Sequence, residues 1–355
     1  TENTQTGAEG RWTDRDKIRF RKEKKKKIGG WTKFSETYYV GVGRALEQWF
    51  ALDGARYEAL GTDRKVYVYA SGTNQDITPI RATANLVNAF TTTNTSANIT
   101  ISDTSHGATV GDFVTISSTS TTVGGIAAGT LDAEYEILSV TNVDAYVISS
   151  SVTATSTVGP TANCTVSYQL NVGPSVQTFG FGWGSGAWNA GTWNTPRTSS
   201  QIILDARLWS INNWGEDLII TQKDGGTYEW NTSDGMTDNR ATIVANAPMG
   251  TETSIGNTAT QDKMFIRWSD QEDYNQWTPN VTNSAGSQRI AGGSEIRCAR
   301  PAKGTILVWT DTTMQSMSFI RPPFIFGFRQ LGNDCGAVGL NSAIVIDDVA
   351  YWMSD

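Results

Sequence analysis

The chain has 355 residues, of which 28 are basic and 35 acidic, and it carries 13 Trp, 12 Phe and 11 Tyr. So much aromatic surface must be buried, which excludes global disorder. With a mean hydropathy of -0.33 and no apolar run near the ~20 residues a bilayer demands, a membrane-spanning helix is excluded too.

The first predicted element is a basic arm within residues 1–33. Residues 11–33 hold 11 of the basic residues and three acids, Asp14, Asp16 and Glu23, so the segment is +8 and the remainder -15. Lys17, Arg19 and Arg21 alternate with Ile18 and Phe20, which predicts a strand with one charged and one apolar face. Lys22 to Lys27 read as an exposed hairpin tip. Such an arm could neutralise phosphates or meet an acidic protein surface. The apolar alternation favours a folded partner. The expected docking residues are Arg11, Trp12, Arg15, Lys17, Arg19, Phe20, Arg21, Lys24, Lys25, Lys26, Lys27 and Trp31.

Residues 34–81 follow. Residues 42–52 read as a helix or as a turn followed by a strand. Lys65 to Tyr69 is β-branched and aromatic, and Gly61-Thr62-Asp63-Arg64 joins two strands. Residues 82–196 contain no Lys or Arg. After a Thr/Asn-rich linker, strands are predicted at 98–101, 112–117, 135–140, 145–148 and 164–170, a small barrel or sandwich. His106, the single histidine, lacks ligand partners and is expected to be structural.

The strip from Phe179 to Trp193 sets Phe179, Phe181 and Trp183 between glycines, followed by Trp188 and Trp193. No strand–loop–helix context supports phosphate binding. As a strand it would put aromatics on one face and Gly on the other. It reads as a subunit contact or as a return strand packed on its own domain.

Residues 197–355 resume strong strand signals. Tyr57, Leu218, Phe265, Leu307 and Ile344 anchor five strand–turn–strand units. The last three intervals are 47, 42 and 37 residues, and the first becomes 46 once the Lys/Arg-free zone is removed. A period of ~40–50 residues in an all-β chain predicts propeller blades interrupted by an inserted barrel; the competing fold is a β-sandwich with irregular hairpins. The last unit stops in the turn after a strand, so the natural chain is expected to continue. Cys164, Cys298 and Cys335 have no CxxC spacing and read as free thiols in a reducing compartment. The opening Thr1 to Gly10 is polar, and no signal peptide is expected. No catalytic residue, metal or cofactor is nominated, and the chain is read as a non-enzyme.

Two resemblances add to this reading. Ser105-His106-Gly107, Val110 to Ile116, Leu131, Glu134 to Ile137 and Asp144 to Ile148 resemble the small FCCH-like β-barrel of ubiquitin-activating enzymes, which recurs in bacteriophage tail proteins. The match brings no catalytic cysteine. Trp12-x-Asp14-x-Asp16-Lys17 to Arg21, Lys27 to Trp31, Leu60-Gly61-Thr62 with Val66 to Val68, Trp214 to Leu218 with Tyr228-Glu229-Trp230, and Arg267 to Asp270 with Trp277-Thr278-Pro279 resemble the tail nozzle (tubular protein B) and tail-hub, or packaged-DNA stabilisation, proteins of short-tailed bacteriophages. That resemblance implies a propeller-based virion protein, assembled in the host cytoplasm. It further implies a six-fold ring below the portal and adaptor, around a channel that double-stranded DNA crosses without specific binding, with tail fibres as further neighbours. Asp224 to Tyr228 also resembles the Asp-box turn of sialidases, so a carbohydrate-binding or carbohydrate-active phage propeller is the alternative. No pair of carboxylates is nominated for such chemistry.

Overall fold

The computed structural model describes residues 18–22, 24–30, 37–179, 203–204, 206–223, 225–237, 239–248 and 262–354. The chain divides into two units, residues 1–38 and 39–355. In the smaller unit, β1 (Ile18–Arg21) and β2 (Lys24–Lys27) pair antiparallel.

The larger unit is all-β. It opens with β3 (Gly43–Phe50), β4 (Arg56–Thr62), β5 (Val66–Ala70) and β6 (Thr73–Asp76), hydrogen-bonded in chain order as one four-stranded sheet. Residues 43–50 are therefore strand, not helix. Trp49 faces the core while its neighbours Gln48 and Phe50 are exposed, an alternation of period two.

The inserted domain begins at β7 (Ile80–Leu86) and continues through β8 (Phe90–Thr92), β9 (Asn98–Ser102) and β10 (Phe113–Ser117). The four-residue helix α1 (Ala128–Leu131) leads to β11 (Glu134–Glu136), β12 (Ser139–Asn142), β13 (Ala145–Ser149), β14 (Val158–Thr161) and β15 (Cys164–Gln169). Two sheets, ordered β11-β10-β15-β7 and β12-β13-β9-β8-β14, enclose a core of their own that includes Phe90, Ile99, Ile101, Ile116, Tyr146 and Tyr168. The expected Thr/Asn-rich linker is a correction. Residues 80–86 and 90–92 are strands, because Thr and Ile tolerate pleated backbone and Phe90 and Thr92 point inward. The predicted strand 135–140 is likewise two strands with a break at Ile137-Leu138.

After the insertion, β16 (Thr178–Phe179) pairs with β17 (Ile203–Leu204). A second four-stranded sheet follows in chain order: β18 (Trp209–Trp214), β19 (Asp217–Gln222), β20 (Thr227–Trp230) and β21 (Thr242–Ile243). Next come the hairpin β22 (Phe265–Trp268) with β23 (Gly286–Arg289), and a third four-stranded sheet, β24 (Ile296–Ala302), β25 (Thr305–Thr310), β26 (Thr313–Arg321) and β27 (Ile325–Asn333). The hairpin β28 (Ala343–Ile346) with β29 (Val349–Trp352) closes the described chain. Three sheets thus have the four-stranded meander of a propeller blade. Among the described residues, the units anchored at Phe265 and Ile344 have two strands each.

One core spans the first two sheets across the insertion. It contains Trp49, Ala59, Val66 and Val68 from one side and Trp209, Leu218, Ile220 and Trp230 from the other. The ties are reciprocal. The Trp209 indole N–H donates to the Thr62 carbonyl at 2.6 Å, and the Trp49 indole N–H to the Glu216 carbonyl at 2.9 Å. Gly61 permits this approach, since a Cβ there would lie 2.8 Å from the Trp209 ring.

Candidate assembly interface

Three regions carry the candidate residues and the charged clusters: the basic hairpin, the Gly/Trp strip and the base of the inserted domain. In the hairpin, Arg19 pairs with Lys26 and Arg21 with Lys24, while Ile18 pairs with Lys27 and Phe20 with Lys25. Two of the expectations change. Lys24 to Lys27 form a strand and not a tip, because the turn falls earlier, at Lys22. Nor is there a purely apolar face, since the cross-strand partner of each apolar residue of β1 is a lysine. Arg19, Arg21, Lys24 and Lys26 are exposed. Two directly opposed like-charge pairs oppose hairpin formation unless an anionic surface offsets them. Arg11, Trp12, Arg15, Lys17 and Trp31 lie outside the described residues.

Phe181, Trp183, Trp188 and Trp193 also lie outside them. Phe179 closes β16, opposite Ile203 in β17. The Gly/Trp strip as a whole is therefore placed only at its first residue.

The base of the inserted domain holds a cluster of charges that sequence reasoning missed. The Lys65 ammonium on the first sheet donates to Asp76 at 2.8 Å and to Glu134 of β11. It also sits 4.2 Å from the centroid of the Phe113 ring. Arg240, in the loop after the second sheet's third strand, reaches Asp76 at 3.3 Å and Glu134 at 3.6 Å, and donates to the Thr78 carbonyl at 3.1 Å. Gln169, the last residue of β15, donates to Asp76 at 3.3 Å. Two cations and two carboxylates thus meet where the first sheet, the second sheet and the inserted domain converge. Burial alone would raise the Asp76 carboxyl, but Lys65 and Arg240 beside it hold it below the usual carboxylate range. Beside this cluster, Arg64 donates to Glu136 at 2.6 Å and to the Gly111 carbonyl at 2.9 Å.

A second anchor is Asp112, which is buried. Its carboxylate accepts from the backbone N–H groups of Thr109 at 2.6 Å and Val172 at 2.7 Å, and from the Asn171 amide at 2.8 Å. It ties the entry of β10 to the chain leaving the domain. His106 is held likewise. Its Nδ1 accepts from the Ala108 N–H at 3.0 Å, so Nε2 is the nitrogen that donates, to the Asn142 carbonyl at 3.2 Å. Both ring nitrogens are thereby occupied by backbone groups.

Cys164 and Cys298 are buried and Cys335 is partly buried, all as free thiols. Burial pushes the Cys164 thiol up to about 11, away from nucleophilic character. Among the described residues, no helix is long and apolar enough to cross a membrane.

No protein-family model matches the chain, and no curated protein matches it. Among solved structures it is similar to the phage phi92 endosialidase, at 11% identity and a TM-score of 0.22, over 86% of this chain and 40% of that one. The chain spans about two-fifths of the length of that protein. A likeness at this level carries no argument about function.

Proposed function

We propose that this chain is a structural tail protein of a short-tailed bacteriophage, a nozzle or hub subunit forming a ring below the portal and adaptor. In that ring it would surround the DNA exit channel, retain the packaged genome and conduct it on ejection. The observation that supports this best is the place of the motifs that carry the resemblance. Leu60-Gly61-Thr62, Val66 to Val68, Trp214 to Leu218 and Tyr228 to Trp230 lie on the joined faces and turns of the first two sheets. There Thr62 and Glu216 supply the carbonyls that the tryptophans of the facing sheet bind. The motifs are thus scaffold residues, as a structural role requires. The +8 arm is assigned to docking on an acidic adaptor surface or an adjacent subunit. A channel that DNA must leave is poorly served by many tight phosphate contacts.

Electron cryo-microscopy of the particle that contains the chain tests the assignment. Density for the sheets in a ring on the portal axis is the expected result. Density in a peripheral appendage would overturn the ring and favour the carbohydrate-binding alternative. An arm lining the DNA channel would overturn the docking assignment alone.

A further inference from the structure

The hairpin of β26 and β27 outgrows the sheet that holds it. β25 begins at Thr305, which pairs with Ser318 of β26. Beyond that level β26 and β27 run on alone among the described residues, with Phe319 opposite Phe326 and Arg321 opposite Ile325. Residues 319–321 carry the hairpin about 10 Å past the rest of the sheet. Aromatic contacts hold the root of this projection: the Trp268 ring lies 5.2 Å from Phe326, and Phe326 lies 6.0 Å from Phe319.

The projection is apolar on every side. Phe319 and Ile320 are adjacent in β26 and so point to opposite faces, and Phe324 stands in the turn. They are 58%, 52% and 74% exposed. A flat protein surface covers one face of a hairpin and leaves the other in water, whereas a fluid apolar medium covers both. Pro322 and Pro323 in the turn carry no N–H, so the tip brings few unpaired backbone donors into such a medium. The single charge from Thr312 to Phe328 is the exposed Arg321, whose long stem and guanidinium suit a phosphate at the edge of that medium. The foot of the projection is polar. There Lys303, in the turn before β25, faces Asp348 at 4.0 Å beside the exposed Asp347.

We propose that this tip inserts into a phospholipid bilayer, with Phe319, Ile320 and Phe324 at the boundary of headgroups and acyl chains and Arg321 on lipid phosphate. The reach of the hairpin matches the ~5–10 Å to which interfacial elements bury their apolar side chains. Insertion to that depth crosses nothing and leaves the four-stranded part of the sheet in water. The proposal goes beyond the tail reading and does not depend on a ring.

The test is flotation of the full chain with vesicles of phosphatidylcholine, whose zero net charge gives the basic hairpin β1–β2 no surface potential to follow. The expected partition constant is on the order of 10³ M⁻¹, below the ~10⁴ M⁻¹ of a single myristoyl chain, so about half of the chain floats at ~1 mM lipid. Ile320→Gln/Phe324→Gln should lower binding about tenfold or more. Ile320→Leu/Phe324→Leu, and the variant with Lys24 to Lys27 replaced by Gln, should float like the parent. All the substituted positions are exposed, so unchanged circular dichroism and melting are expected of each variant. A parent that stays in the aqueous fractions, a tip variant with Gln that floats like the parent, or loss of binding on the lysine variant alone overturns the proposal. Should the parent ignore vesicles while Ile320→Gln/Phe324→Gln fails to enter particles, the tip has a protein partner and the lipid assignment falls. The ring reading is judged separately, by the position of the chain in particles.

Discussion

The Lys65 ammonium and the Glu134 carboxylate meet across 69 residues of sequence, from a lysine side chain only 4% exposed. This pair joins the first sheet to the inserted domain, and Asp76 and Arg240 complete its charge balance. Removing one partner of a buried pair leaves the others uncompensated, which costs more than the pair contributes net. Lys65→Met keeps most of the stem volume and deletes the charge. It should destabilise the larger unit by about 3 kcal/mol in urea unfolding. A loss under about 1 kcal/mol would show that water enters the cluster and screens it.

The same cluster sets an acid limit. The folded Asp76 carboxyl titrates below its ordinary value, despite the opposing effect of burial. As pH falls, the unfolded chain therefore takes up its proton first, so this contribution is intact above about pH 4 and is lost as pH falls further. Asp262 and Asp311 are depressed as well, by hydrogen bonds that outweigh their burial, and they add to the slope. Asp76→Asn should be less stable than the parent near neutrality and show a shallower fall in unfolding midpoint between about pH 5 and about pH 3. Equal slopes for the two proteins would remove Asp76 from the account.

Trp209→Phe isolates the tie between the first two sheets. The aromatic surface over Gly61 is largely kept, while the indole donor to Thr62 is lost and a buried carbonyl loses a partner. A cost of about 1 kcal/mol is expected, with no change in the cooperativity of unfolding. Unfolding in two separate steps would mean that the tryptophan bond, rather than the apolar core, couples the sheets.

The basic hairpin makes a different prediction, since its charges lie on an exposed surface. Replacing Lys24 to Lys27 with Gln should leave the melting of the larger unit unchanged and weaken incorporation into tails. It should also flatten the salt dependence of assembly, because charges that are gone cannot be screened. Unaltered assembly at every salt concentration would sink the docking assignment.

The strands that bury alternate β-branched and aromatic residues were legible in the sequence, as at Val66 to Tyr69, Leu218 to Ile220 and Leu307 to Trp309. The stretches that hid are those whose inward residues are small or polar. Residues 80–92 looked like a linker because Ala84 and Thr92 do the work that Val or Ile does elsewhere. Lys24 to Lys27 gave no period at all, and only pairing with Ile18 to Arg21 defines them as a strand. The charge cluster was out of reach for another reason. Lys65, Asp76, Glu134 and Arg240 are each ordinary surface residues in sequence, and only the fold brings them together, where the inserted domain meets basic side chains from both sheets.

The strands that enter and leave the inserted domain are direct neighbours: Ile80 pairs with Gln169, and Ala82 with Tyr168. The two points where the domain joins the sheets are therefore one strand spacing apart, about 4.8 Å. A gap that short can be bridged by a tight turn, or by any other folded module whose own ends lie side by side. The site between the first and second sheets thus works as a socket. What it holds can be shortened, lengthened or exchanged while Trp49, Trp209 and Trp230 keep their places, provided that the partners Glu134, Gln169 and Glu136 give to Lys65, Asp76 and Arg64 are supplied anew.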